Sequence, residues 1–332
     1  MILVAGDVGG TKTLLRAVSA AQGRHEELLE RRYESGAYAG FADLLGDFLG
    51  RLDGRASHAA FGVAGPVIDG ECHATNLPWT LGERQLASAL GLQRVRLVND
   101  FVAAARGVLL LVPGDTVALQ QGQADAGGTV GVLGAGTGLG EAIVASHEGR
   151  RFVVPTEGGH GDFAPRTDEE IELLRFLRAR HGRVSYERLL SGPGIHNIYE
   201  FVRARGRHPE SVAVAAAMAA GDPAAAISGF DGPSGDPLCR EALDLFVTIY
   251  GAEAGNVALR MLATGGVYVA GGIAPRMAAR FQDGRFLEAF LGKGRYRTLL
   301  ERVPVHLVTN TRVGLLGAMA LAEEFAREGS TP

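Results

Sequence analysis

Short apolar runs closed by glycine recur along this chain, with helical periodicity between them. Residues 2–5 are unbroken apolar sequence meeting Gly6 and Asp7, which predicts a buried strand running into a glycine-rich turn. Strand-like residues 14–18 follow that turn, so the pair reads as a hairpin. Phe41, Leu44, Leu45, Phe48, Leu49 and Leu52 recur at helical spacing and predict an amphipathic helix over 41–52. A short strand is expected over 59–63, a hairpin turn at Asp69-Gly70, and a helix over 83–90 stopped by Gly91. The apolar strand 95–98 then delivers Asn99 and Asp100, and an alanine-rich helix over 101–111 follows.

Beyond residue 113 the pattern starts again. Residues 129–133 read as a strand, Gly134-Ala135-Gly136-Thr137-Gly138-Leu139-Gly140 as a second glycine loop, and 141–146 as strand once more. Thr167 and Glu170 form a capping box opening a helix with Ile171, Leu174, Phe176 and Leu177 on its apolar side. An alanine-rich helix is expected over 209–226, and a long one from Asp236-Pro237 to about residue 263. A strand over 267–270 leads into Gly271-Gly272, a late strand over 303–308 follows, and an amphipathic helix over 313–326 ends the pattern. That last helix is expected to fold back onto the first lobe. The expected domains are therefore 1–110 plus about 303–330, and 111–302.

At 332 residues the chain exceeds one typical core, so two lobes are expected. Its net charge of −4, without a long run of one sign, argues against nucleic acid or an acidic membrane surface as main partner. Cys72 and Cys239 are too few and too far apart for a disulfide framework or a zinc cluster, which fits a reducing, cytoplasmic compartment. No stretch approaches about 20 uninterrupted apolar residues, so no transmembrane helix is expected. The apolar start has no basic n-region, and no signal peptide is expected either.

The candidate chemistry sits at the ends of the predicted strands. In Gly6-Asp7-Val8-Gly9-Gly10-Thr11, glycines let backbone N–H groups wrap phosphate oxygens. Asp7 would repel phosphate unless a magnesium ion, held partly through water, stood between them. Neither glycine loop is a Walker-type loop or a dinucleotide fingerprint, since strand follows each one and position 139 is leucine. Two glycine hairpins, one in each lobe, could grip one triphosphate; either alone could be an ordinary turn. Asn99 and Asp100 stand at the carboxyl end of a strand, where open α/β sheets place ligands. Asp100 could take a proton from a bound hydroxyl or could simply cap the next helix. Glu157 and His160, in a glycine-flanked loop, could hydrogen-bond hydroxyls, or His160 could be a satisfied structural histidine and Glu187 a surface residue. Trp79, the single tryptophan, could support a sugar ring or fill core. Gly271-Gly272 could admit an adenine or form a tight turn.

Together these motifs resemble the bacterial glucokinase family of the hexokinase–actin-like ATPase superfamily, over nearly the full length. The resemblance rests on Gly6 to Thr11, Val98-Asn99-Asp100-Phe101, Gly134 to Gly140, Pro155-Thr156-Glu157-Gly158-Gly159-His160, Glu187 ahead of Leu190-Ser191-Gly192-Pro193-Gly194, and Gly271-Gly272-Ile273. It implies a two-lobed actin-like ATPase (ribonuclease H-like) α/β fold, with mixed sheets, flanking helices and a cleft between lobes. It implies ATP with Mg2+ as phosphate donor and glucose as acceptor. It assigns Gly6, Asp7, Val8, Gly9, Gly10, Thr11, Gly136, Thr137 and Gly138 to the phosphates and Gly271 and Gly272 to adenosine. Asn99, Asp100, Glu157, His160 and Glu187 hold glucose, with Asp100 as catalytic base. A cytoplasmic homodimer catalysing the first step of glycolysis is the family pattern. The related repressor–ORF–kinase proteins carry a cysteine-rich zinc motif near their sugar-binding histidine; no cysteine lies near His160, so no zinc is expected. A kinase for mannose, fructose or an N-acetylhexosamine is the alternative, and a non-catalytic sugar sensor a further one. A glycosidase pairing Glu157 with Glu187 would leave both glycine hairpins unexplained.

Overall fold

A computed structural model describes residues 1–21, 24–74, 77–232 and 235–328. The chain divides into two units: Met1–Pro113 with Phe152–Pro155 and Asn310–Pro332, and Gly114–Arg151 with Thr156–Thr309.

The first unit is built on strands β1 (Ile2–Val8), β2 (Lys12–Ala21) and β3 (Arg24–Glu34), helix α1 (Phe41–Leu49), then β4 (Ala56–Val63). Three short strands follow, β5 (Val67–Ile68), β6 (Glu71–His73) and β7 (Thr80–Gly82), and then α2 (Glu83–Leu90), β8 (Arg94–Asn99) and α3 (Asp100–Val108). The main sheet has the order β3-β2-β1-β4-β8, with β1, β4 and β8 parallel. Alternation along β1 divides its side chains between two cores. Val4 and Val8 face α1, joining Leu44, Leu45, Phe48 and Phe61. Leu3 and Ala5 face the C-terminal helix Val313–Glu328, joining Ala103, Leu315 and Ala318. Trp79 belongs to the first of these cores, 3% exposed and 6.1 Å from the ring of Phe41, so its role here is packing. The expected turn at Asp69-Gly70 joins β5 to β6 with both residues at positive φ, 52° and 78°.

The second unit carries β9 (Thr116–Gln120), β10 (Val130–Ala135), β11 (Leu139–His147) and the two ends of β12 (Arg150–Thr156), whose middle, Phe152–Pro155, is counted with the first unit. Helices α4 (Asp168–His181), α5 (Gly192–Ala204), α6 (Val212–Ala220), α7 (Pro223–Gly229) and α8 (Pro237–Met261) follow, then β13 (Gly266–Ala270) and β14 (Val305–Val308). Their sheet has the order β12-β11-β10-β13-β14-β9. Helix α8 is buried along most of its length, and its Leu243, Phe246, Tyr250 and Val257 pack in one core with Leu133, Val267 and Val269 of the strands.

Two expectations are corrected. The alanine-rich stretch 209–226 is not one helix: Pro223 brings no N–H to continue α6, and Asp222 caps α7 instead, accepting from the Ala224 N–H at 2.9 Å. The late strand does not belong with the first lobe, because β14 pairs with β13 and β9, and the chain rejoins the first unit only at Asn310. The fold class is α/β with mixed sheets and flanking helices, as the resemblance implies.

Candidate active site

In the first unit, parallel pairing aligns three strand ends. Val8 lies opposite Val63, and Val63 opposite Asn99, so the first glycine hairpin and the Asn99-Asp100 pair share one carboxyl edge of the sheet. They stand two strands apart, about 10 Å. The hairpin is held in shape from β3's end: Ser35 Oγ donates to the Gly9 carbonyl at 2.8 Å, and the Ser35 N–H donates to the Thr11 carbonyl at 2.9 Å. Thr13 Oγ1 lies 3.0 Å from Ser35 Oγ, and both residues are buried. Ser35 did not stand out in the sequence, because a serine 26 positions from Gly9 carries no local signal. Asp7 is the last residue but one of β1, and burial pushes its carboxyl above the usual carboxylate range. Carboxylate oxygens are hard donors of the kind Mg2+ takes, so Asp7 fits the ion the resemblance implies. Gly314 leaves room beside it, since a Cβ there would stand 3.2 Å from Oδ2.

The cap of α3 is Asn99 rather than Asp100. Asn99 Oδ1 accepts from the N–H groups of Phe101 at 2.9 Å and Val102 at 3.3 Å, while its amide donates to the Gly65 carbonyl at 3.2 Å. Asp100 is the first residue of the helix, and its Oδ1 also accepts from the Phe101 N–H at 2.8 Å. Gly62 lets α3 sit against β4, because a Cβ there would come within 2.9 Å of the Ala103 methyl.

In the second unit the other candidates gather around the β10–β11 hairpin. The Gly136 N–H donates to the Gly138 carbonyl at 2.8 Å, and the Gly136 carbonyl accepts from the Gly192 N–H at 2.8 Å at the start of α5. Glu187 Oε2 accepts from the Leu139 N–H at 3.1 Å, and a Cβ at position 138 would strike that oxygen at 2.4 Å. Glu187 is therefore no plain surface residue. His160 Nδ1 stands 3.9 Å from Glu187 Oε1, and its Nε2 stands 4.0 Å from Glu157 Oε2. The structure thus brings Glu157, His160 and Glu187 together, with imidazole between two carboxylates. Arg183 fixes this group from outside, donating to the His160 carbonyl and, at 2.7 Å, to Asp162. Gly271, at φ 84°, touches the same hairpin: a Cβ there would strike the Ala135 carbonyl at 2.4 Å. Tyr250 Oη holds the Ala135 N–H at 2.8 Å from beneath. The second glycine loop and the Gly271-Gly272 turn are therefore neighbours.

Among the described residues no three His, Cys, Asp or Glu side chains are grouped to hold a metal ion directly, and no helix is long and apolar enough to cross a membrane.

The glucokinase family model matches residues 4–325. A glucokinase of a Nostoc species is 40% identical over 97% of this chain and 98% of its own length. A glucokinase of Yersinia pestis is 37% identical over 95% of this chain and 94% of its own. The crystal structure of a glucokinase from an Antarctic psychrotroph superposes with a TM-score of 0.83 at 30% identity, covering 97% of this chain and 99% of that one. Matched almost end to end, by relatives themselves covered almost whole, this chain belongs to the glucokinase family.

Proposed function

We propose that the chain transfers the γ-phosphoryl group of ATP to the 6-hydroxyl of D-glucose, giving glucose 6-phosphate and ADP. The observation that carries this reading is the shared strand edge of the first unit: a phosphate-type hairpin and a carboxylate, Asp100, two strands apart. Phosphoryl transfer asks the protein mainly to position and to neutralise. The two glycine hairpins, at 6–11 and 136–138, hold the phosphates through those backbone N–H groups that the hairpins and their strands leave unpaired, and Gly271 and Gly272 admit the adenosine. Asp7 would hold a magnesium ion, which when bound would supply positive charge against the triphosphate. Asp100 accepts the proton of the sugar's 6-hydroxyl as its oxygen attacks. Asn99, Glu157, His160 and Glu187 take the other hydroxyls; uncharged sugar suits such acceptors. The active form on this reading is a cytoplasmic homodimer, which the family resemblance supports.

Coupled measurement of ADP release over a panel of glucose, mannose, fructose and N-acetylhexosamines tests the reading. Glucose is expected to give the highest kcat/KM. A higher value for another sugar overturns the substrate, and sugar binding without ADP release overturns the enzyme.

Glu157→Gln and Glu187→Gln each remove a charged acceptor while keeping shape. Hydrogen bonds to charged groups contribute about 1.5–3 kcal/mol, so the KM for glucose should rise roughly 10- to 100-fold. The KM for ATP should stay within about twofold of wild type. A change confined to ATP would put these residues on the nucleotide instead.

A further inference from the structure

The turn carrying Glu157 and His160 rests on a buried carboxyl that the reaction does not use. Glu141 of β11 lies opposite Leu133 of β10 and is 2% exposed. A Cβ at Gly158 would come within 2.0 Å of Glu141 Oε2, and one at Gly159 within 2.1 Å of the Leu139 carbonyl oxygen. Thr156 Oγ1 donates to the Glu141 carbonyl at 3.1 Å and accepts from the Gly158 N–H at 3.2 Å. The backbone of the turn therefore lies directly on this residue.

The groups facing Glu141 come chiefly from α8. Glu253, fully buried, acts on the Glu141 carboxyl through its charge and is itself paired with Arg260. The Arg260 guanidinium approaches Glu141 Oε2 only to 3.8 Å. Tyr250 faces it from one turn earlier. Behind Glu253, the Asn256 amide donates to Glu253 at 2.8 Å and to Tyr186 Oη at 2.9 Å, and Lys293 donates to Asn256 Oδ1. Arg166 and Glu170, paired at 2.8 Å, stand near Lys293. Neither side-chain oxygen of Glu141 receives a hydrogen bond among the described residues. An ionised carboxylate there would lack hydrogen bonds and would share one guanidinium, that of Arg260, with a second carboxylate. A carboxylic acid instead has an O–H to give to Glu253.

We propose that Glu141 is a positioning residue for the sugar site: as a neutral acid hydrogen-bonded to Glu253, it is the seat that fixes the 157–160 turn and with it Glu157 and His160. The inference rests on that turn being the sugar-binding element. Burial, with the charge of Glu253 second, pushes the Glu141 carboxyl up to about 8. Above that pH its charge opposes Glu253 and the turn loses its seat.

The test is the pH dependence of both Michaelis constants between about pH 6.5 and pH 9, where a group titrating near 8 changes form. In the wild-type enzyme the glucose KM should rise roughly fivefold, the lower end of couplings between linked sites. The ATP KM should not rise with it. Glu141→Gln should make the glucose KM independent of pH. Lys293, whose ammonium is lowered to about 8 chiefly by burial, titrates in the same window; Lys293→Met should keep the rise. A rise that survives in Glu141→Gln, or none in the wild type, overturns the proposal.

Thermal melting gives a readout without catalysis. With its folded value raised, Glu141 holds a proton that the unfolded chain releases near 4.5. Stability is thus lost as pH climbs from about 4.5 to about 8. The Tm of the wild type should fall more steeply over that range than that of Glu141→Gln, and equal slopes overturn the neutral acid. Glu157→Gln separates the two readings. If it leaves the glucose KM unmoved, the sugar-site assignment fails. If it raises the KM while Glu141→Gln keeps the wild-type pH profile, only the seat fails.

Discussion

Asp100→Asn should lose at least about 100-fold in kcat while keeping most of the glucose affinity, because a general base contributes about 10²–10⁴-fold. The substitution keeps the shape of the side chain and its acceptor oxygen toward the Phe101 N–H, 2.8 Å away in the native residue. It removes only the capacity to take up a proton. The structure makes this separation clean, because the helix is not capped by Asp100. Asn99 accepts from both Phe101 and Val102, so the start of α3 survives the change at position 100. The complementary variant, Asn99→Ala, should lose about 1 kcal/mol of stability with the cap. A melting curve for Asp100→Asn within a degree or two of wild type, together with the collapse in kcat, is the expected pattern. Near-normal turnover would remove Asp100 from the role of base and leave it as the opening residue of a helix.

The division of labour between these neighbours also shows what the chain discloses before it is folded. An apolar strand ending in Asn-Asp announces a strand end and a helix start, and both are found at Asn99 and Asp100. Which residue caps is decided by backbone angles at one position, and composition does not carry that. Strands with apolar runs closed by glycine were legible for the same reason that they are buried. The edge strand β3 was not: its sequence, RHEELLERRYE, is mostly charged, as suits an edge, and lacks the alternation that marks a half-buried strand. The cluster of Glu157, His160 and Glu187 was legible as residue types, whereas their meeting depends on the hairpin that Glu187 grips at Leu139. Glu141 was invisible as a special residue. Between Gly140 and Ala142 it reads as the first polar position of a strand, and only α8 with Glu253 and Arg260 makes it a buried acid.

The second large effect concerns the crossing that sets the position of α3. Here the C-terminal helix lies so close to α3 that each needs a glycine facing the other. A Cβ at Gly107 would stand 1.9 Å from the Val313 carbonyl oxygen, and one at Gly317 would stand 1.8 Å from the Ala103 carbonyl oxygen. Both obstacles are backbone, so no side chain can rotate away to make room. Gly317→Ala must push the two helices apart, opening the core of Leu3, Ala5, Ala103, Leu315 and Ala318. Overpacking of this kind costs about 1–3 kcal/mol or more, and a backbone obstacle puts this case at the upper end, on the order of 3 kcal/mol. The Tm should then fall by roughly 6–12 °C. Gly36→Ala serves as the control in the same unit, since a Cβ there meets nothing within 4 Å; it should shift stability by no more than about 0.5 kcal/mol. Because α3 begins at Asp100, kcat of Gly317→Ala should also drop below wild type at temperatures where the variant is still folded. A variant as stable as wild type would mean that the helices can separate without strain. The placement of the base would then depend on its strand, β8, and not on the helix crossing behind it.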